Sequence, residues 1–326
     1  MDLDLLFLGT AGSAPTASRG TASTLVRRGG DRLLVDCGEG TQRQLLRSDA
    51  GLVDLEHVFL THLHADHVLG LPGMLKTFAL RGRELPIVVH GPRGTRGLLD
   101  ALGVVIGRLT YELRVVELVP GDAMERDGYR LEPFAVKHGG NALGYALREA
   151  VRPGRFDVAA ADALGVPGGP ARGALQRGED VTLDDGRTVR PDDVLGPTRR
   201  GRSVVLTGDT APAATVVEAA AGADVLVHEA TFLAEERARA RETEHSTAGE
   251  AALVAREAGV AMLALTHVSA RYAGSEVERE ARELFAETVV PRDFDVIDVP
   301  FPERGPPSLV PRGGRRERAE DVGSGA

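Results

Sequence analysis

The chain has 326 residues, of which 42% are hydrophobic and 27% charged, and its formal net charge is −9. No run approaches the ~18 consecutive apolar residues that a membrane span needs, and the single cysteine, Cys37, excludes an intrachain disulfide and thiolate-rich zinc fingers. The acidic balance weighs against a nucleic-acid partner held by net charge alone, because phosphates are neutralised by Lys and Arg.

From the first residue, short apolar β-type runs alternate with amphipathic helical patterns. MDLDLLFLGT carries acids where a secretory signal carries bases, so it is read as a first buried strand of a cytoplasmic protein. STLVRR and RLLVDCG follow, then helix-like TQRQLLRS, the strand HVFLTH, the helix PGMLKTFAL and the strand LPIVVHG. A second cycle opens at Ser203 with SVVLTGDT and continues through AATVVEAAA, DVLVHEATF, a helix over Ala251–Glu257 and VAMLALTH. Such alternation predicts an α/β fold of sheets covered by helices, in two similar halves. Between the halves, residues 152–202 are rich in Gly, Pro and Arg and show little apolar periodicity, which predicts a protruding arm. Residues 303–326 have the charged, Pro/Gly-rich composition of disorder, and SLVPRG within them resembles a protease site of the kind fused to recombinant proteins.

The chemistry concentrates in THLHADH, Thr61–His67. On an extended segment residues i and i+2 point the same way, so His62 and His64 can converge on one ion, while Asp66 and His67 in the following turn face another. A single histidine is more often a hydrogen-bonded core or surface residue than a ligand, but four donor groups in six positions are not explained that way. Three further candidates each follow an apolar run and precede turn residues: His138 in FAVKHGG, Asp209 in VVLTGDT and His267 in LALTHVS. With one cysteine, the ligation must be through nitrogen and oxygen, which suits zinc, with manganese as an alternative.

THLHADH, TGDT, LALTH, FLGTAGSAP and DCGEGTQRQL together resemble the metallo-β-lactamase superfold, an αββα sandwich of two mixed sheets flanked by helices. GNALGYAL, VHEATF, HSTAGEAA, THVSARY and the PGGP-containing arm narrow the resemblance to the ribonuclease Z family, which removes 3′ trailers from precursor tRNA. It extends over residues 3–302, the expected single catalytic domain being 1–302 with the arm inserted. The resemblance implies two zinc ions per subunit, one held by His62, His64 and His138, the second by Asp66, His67 and His267, with Asp209 bridging. It implies that Asp66 doubles as the general base and that the product keeps a 3′-hydroxyl.

His245, in EHSTAGE, is the candidate acid for the departing 3′ oxygen. Thr247 and Glu250 form a capping-box pattern that sets it just before a helix, and the competing reading is a histidine with no catalytic duty. Glu229 in HEATF is the candidate to orient it. The resemblance further implies that the arm clamps the tRNA elbow and that a homodimer presents one subunit's arm to the other's site. Arg172 and Arg177 are the arm residues proposed to touch RNA, against the reading of an ordinary solvated loop whose acids dilute its basic charge. The superfold also hosts small-molecule hydrolases, so a cyclic-nucleotide or other phosphodiesterase is the alternative, although it has no use for the arm. His57, His90 and His228 are assigned structural roles, and Cys37 that of a small buried residue.

Overall fold

The computed structural model describes residues 1–52 and 55–313. It divides into two compact units, the first formed by Met1–Glu125, Leu131–Leu147 and the chain from Arg202 onward, the second by Arg126–Arg130 and Arg148–Gly201.

The first unit is an α/β sandwich. One sheet has eight strands in the order Ser308–Val310, Val296–Asp298, Leu3–Gly9, Ser23–Arg28, Asp31–Val35, His57–Phe59, Ile87–Gly91, Leu113–Glu117. Its first half is antiparallel and its second half, from Asp31–Val35 on, parallel. The other sheet runs Thr288–Val289, Met262–Thr266, Val225–Glu229, Ser203–Leu206, Leu143–Glu149, Tyr129–Ala135, Met124–Arg126, and its first four strands are parallel. Parallel strands covered on both faces read as continuous apolar runs, as VLVHE does: every one of its residues is buried.

Each sheet has its own helical cover. Leu45, Leu71, Met74, Leu75, Phe78 and Leu99, from helices Thr41–Arg47, Gly70–Leu80 and Thr95–Ile106, pack on the first sheet's Leu6, Leu25, Val58 and Val89. Val216, Ala251, Ala252, Ala255 and Val277, from helices Ala214–Ala220, Ala248–Ala258 and Gly274–Arg282, pack on Val205, Leu226 and Leu263 of the second. The sheets meet face to face, where Phe59 and Tyr145 make an edge-on ring contact and the Tyr145 hydroxyl donates to the Leu60 carbonyl at 2.7 Å.

The second unit is more ordered than its composition suggests. Helices Val158–Ala163 and Pro170–Gln176, a hairpin of Val181–Thr182 with Thr188–Val189, and a 3-10 turn Pro191–Asp193 enclose Ala161, Val166, Leu175, Val189 and Val194. Two-turn helices are too short for their periodicity to register in sequence. Local signals fix them instead: Asp157 accepts from the Ala160 amide as an N-cap, and Pro170 occupies the first helical turn.

The expectation of disorder over 303–326 fails for its first part. Ser308–Val310 pairs antiparallel with Val296–Asp298, the Arg312 amide donates to Asp295 at 2.9 Å, and the Arg312 guanidinium lies over the Phe294 ring. Ser308–Val310 of SLVPRG is therefore an edge strand of the fold. Residues 314–326 lie outside the described residues.

Candidate metal centre

The chemically reactive side chains sit at the carboxyl ends of strands, where ligands bind in α/β sheets. Strand His57–Phe59 leads into His62, His64, Asp66 and His67, Tyr129–Ala135 into His138, Ser203–Leu206 into Asp209, and Met262–Thr266 into His267. All seven positions named from the sequence converge. His62, His64, His138 and Asp209 have donor atoms within 4.8 Å of one another, and so do Asp66, His67 and His267.

The two oxygens of the buried Asp209 face different groups. Oδ2 lies 3.7 Å from His62 Nε2 and 3.9 Å from His138 Nε2, whereas Oδ1 lies 3.4 Å from His67 Nε2 and 3.3 Å from His267 Nε2. Asp66 Oδ2 completes the second group, 3.6 Å from His67 Nε2 and 3.1 Å from His267 Nε2.

The hydrogen bonds behind these rings decide which nitrogen carries a proton. His67 Nδ1 is 2.8 Å from Asp36 Oδ2, an acceptor only, so Nδ1 carries the hydrogen. The Thr231 hydroxyl donates to Glu229 Oε2 at 2.6 Å and so accepts from His267 Nδ1 at 2.8 Å. In neutral rings both Nε2 atoms are then lone pairs, and they stand 3.4 Å apart beside two carboxylates. Lone pairs do not converge on one another in a buried pocket without a cation to receive them. His62 Nε2 and Asp209 Oδ1 are also buried without a hydrogen-bond partner among the described residues, which is costly unless an ion fills that role. The donor set fits divalent metal binding.

Burial first, and then the neighbouring His67, hold His62 neutral, lowering its pKa to about 2. Burial also opposes a charge on His67, but Asp209 and Asp36 outweigh it and push the group well above its ordinary value. That is the negative potential a cation in this pocket would meet. Burial works against ionised Asp66 as well, yet His267 and His67 hold its carboxyl well below the usual range. The Ser13 amide donates to Asp66 Oδ2 at 2.8 Å, fixing a carboxylate that is partly open to solvent.

His245 sits beside the cluster, its ring centroid 4.8 Å from that of His138. Its Nδ1 lies 2.6 Å from Glu229 Oε1, and although burial opposes the charge, Glu229 raises the pKa to about 9. The buried Glu229 also accepts from the amides of Thr210 and Thr231, so one carboxylate steadies both His245 and, through Thr231, His267. The capping box is present, with Thr247 Oγ1 accepting from the Glu250 amide and the Glu250 carboxylate from the Thr247 amide.

Five supporting residues were not assigned from the sequence: Ser13, Asp36, Thr61, Thr231 and Glu244. Asp36 receives the Thr61 amide and hydroxyl besides His67, and the Thr61 hydroxyl lies 3.1 Å from His62 Nδ1. Backbone strain marks them better than composition does. Of the five non-glycine residues at positive φ among the described residues, Ser13, Asp36, Glu244 and His267 are in this site, and such strain collects where the surroundings over-determine it. Gly12 is needed for a different reason, because a Cβ there would stand 2.7 Å from His267 Nδ1.

The residues set aside behave structurally. His57 and His90 contact each other at 3.0 Å and His90 stacks on Phe59; His228 Nδ1 is 2.8 Å from the Glu229 carbonyl; burial pushes the Cys37 thiol up, away from reactivity. In the second unit Arg172 is held by the Val166 carbonyl and Asp162, and Arg177 is exposed and paired with Glu179 at 2.9 Å.

A sequence profile for the family described as Anti-Pycsar protein Apyc1 matches residues 3–92. The chain is 46% identical over 308 residues to ribonuclease Z of Halorubrum lacusprofundi, covering 93% of this chain and 99% of that protein. It is 48% identical over 305 residues to ribonuclease Z of Myxococcus xanthus, with 93% and 99% covered. Among solved structures, the short form of human tRNase Z aligns with a TM-score of 0.66 at 26% identity, over 91% of this chain and 99% of that one.

Proposed function

This chain belongs to the ribonuclease Z family, and from that premise we propose that it removes 3′ trailers from precursor tRNA by hydrolysing one phosphodiester. It is a hydrolase that cuts RNA internally, and no helix among the described residues is long and apolar enough to cross a membrane. What supports the site assignment is the convergence of the Nε2 atoms of His62, His138, His67 and His267 on the two oxygens of Asp209, at 3.3 to 3.9 Å.

His62, His64 and His138 would hold one zinc ion, Asp66, His67 and His267 the second, with Asp209 shared; manganese suits the same donors. Two such ions, when bound, supply a water of lowered pKa and counter-charge for the attacking and leaving oxygens. Asp66, oriented by the Ser13 amide, accepts a proton from the water as its oxygen bonds to phosphorus. The bond from phosphorus to the 3′ oxygen breaks, and His245, charged and steadied by Glu229, gives its proton to that oxygen. The tRNA keeps a 3′-hydroxyl and the trailer carries the phosphate.

The second unit is the proposed tRNA-holding arm, with Arg172 and Arg177 as candidate contacts. Arg177 is the better placed because it is the more exposed of the two, Arg172 being tied to the Val166 carbonyl and Asp162. A homodimer and a cytoplasmic setting complete the proposal. The test is incubation of metal-quantified protein with a 3′-extended precursor tRNA, mapping the product end. Cleavage at the acceptor-stem end, lost in Asp66→Ala, with about two metals per chain supports the reading; full metal occupancy without cleavage turns it to a small phosphodiester.

A further inference from the structure

Two turns from distant parts of the chain meet at one residue. Glu244 stands at φ 54°, a left-handed conformation unusual for a residue with a side chain, just before His245. Its backbone carbonyl accepts from His138 Nδ1 at 3.0 Å, and its carboxylate Oε2 accepts from the Gly139 amide at 2.9 Å. The first bond places the hydrogen of the neutral His138 ring on Nδ1, leaving Nε2 as the lone pair directed at His64 Nδ1, 3.2 Å away, and Asp209. The second anchors the tip of a turn whose flanks are held elsewhere, Lys137 by Thr210 and Ala211 and Asn141 by the Arg93 carbonyl. Gly139 and Gly140 are both left-handed, at φ 57° and 84°, and neither has a side chain with which to fix the turn.

We infer that Glu244 is a positioning residue that fastens the His138 turn to the His245 turn, so that one residue sets the aim of a metal ligand and the place of the proton donor. The inference rests on the ligand role proposed for His138. His245 follows Glu244 directly, and its amide donates to the Ala240 carbonyl at 2.8 Å, so the end of the preceding helix sets the height of both. A general supporting role in folding would need only the backbone bend, which glycine adopts more readily than glutamate. The carboxylate is what the positioning role adds.

The variants Glu244→Gly and Glu244→Gln separate the two. Glycine keeps the left-handed bend and the carbonyl and removes the carboxylate; glutamine restores an acceptor for the Gly139 amide. Zinc-loaded wild type and both variants are mixed with excess chromophoric chelator, and turnover on 3′-extended precursor tRNA is measured alongside. In Glu244→Gly one of the two ions should leave about 10-fold faster and kcat should fall about 10-fold at unchanged KM, with Glu244→Gln within about threefold of wild type, the scale on which partners behind metal ligands act. Release at the wild-type rate from Glu244→Gly overturns the inference, as does a Glu244→Gln protein impaired as much as Glu244→Gly. Wild type that takes up zinc but leaves precursor tRNA uncut defeats the substrate reading alone, and the release rates still decide Glu244. Wild type that takes up no zinc defeats both.

Discussion

The two units handle charge in opposite ways. In the first, Asp66, Asp209 and the ring nitrogens of His62, His64, His67, His138 and His267 gather in two groups, and His62 Nε2 and Asp209 Oδ1 have no hydrogen-bond partner among the described residues. In the second, charges are paired with near neighbours: Arg172 with Asp162, Arg177 with Glu179, Arg187 with Asp185. Over its residues eleven arginines face ten acids, a net of +1 against −9 for the whole chain. A site for cations shows itself by polar atoms left wanting. A surface for RNA does not, because its groups are satisfied by water and each other until the polyanion arrives.

If that division is correct, Asp66→Ala removes chemistry and leaves the arm alone. Its kcat should fall by about 10³ or more, as when a general base and metal ligand are lost together. Binding of precursor tRNA, read by filter retention, should stay within about twofold, because shape and backbone contacts carry it. A large loss of binding would place the arm's task in the first unit.

The converse variant replaces residues 152–201 with a short linker. Cleavage of precursor tRNA should drop at least ~10²-fold in kcat/KM while hydrolysis of bis(p-nitrophenyl) phosphate persists, since remote binding energy acts only on the large substrate. Equal loss on both substrates, with metal content intact, would show that the units do not divide the work.

Leu175→Ala probes the second unit's own core. Leu175 is fully buried with Val166, Val189 and Val194, and its truncation should cost about 2–3 kcal/mol, the low end for a site small enough to collapse. Hydrogen exchange should quicken across 156–195 and nowhere around His62 or Asp209. Faster exchange at both places would mean the units unfold as one.

How much of this was legible follows the same contrast. THLHADH is local, so period and donor chemistry pick out four side chains before any fold is known. His138, Asp209 and His267 needed only the rule that reactive groups cluster at strand ends. Asp36 and Glu244 were out of reach, because their partners lie 31 and 106 residues away and sheet closure alone brings them together. The second unit's core escaped for the opposite reason: helices of six and seven residues and a four-residue hairpin carry too few apolar positions to show a period. Ser308–Val310 was misread because three residues cannot outweigh the composition around them.

The smallest effect comes from histidines of the first unit that lie outside the cluster. His90 contacts His57 at 3.0 Å and stacks on Phe59, with neither a carboxylate nor a lone-pair centre beside it. Burial, and then His57, lower its pKa from 6.5 to about 4. It is therefore neutral in the fold and takes a proton in the unfolded chain below its ordinary pKa. The stability this represents is complete above pH 6.5 and drains away as pH falls toward about 4. His90→Phe, which keeps the stacking and cannot titrate, should flatten the acid limb of a urea-midpoint profile over that window while leaving metal content and cleavage at pH 7 unchanged. If the limb keeps its slope, the acid sensitivity belongs to other groups. If cleavage falls as well, the structural histidines and the reactive ones are not separate populations.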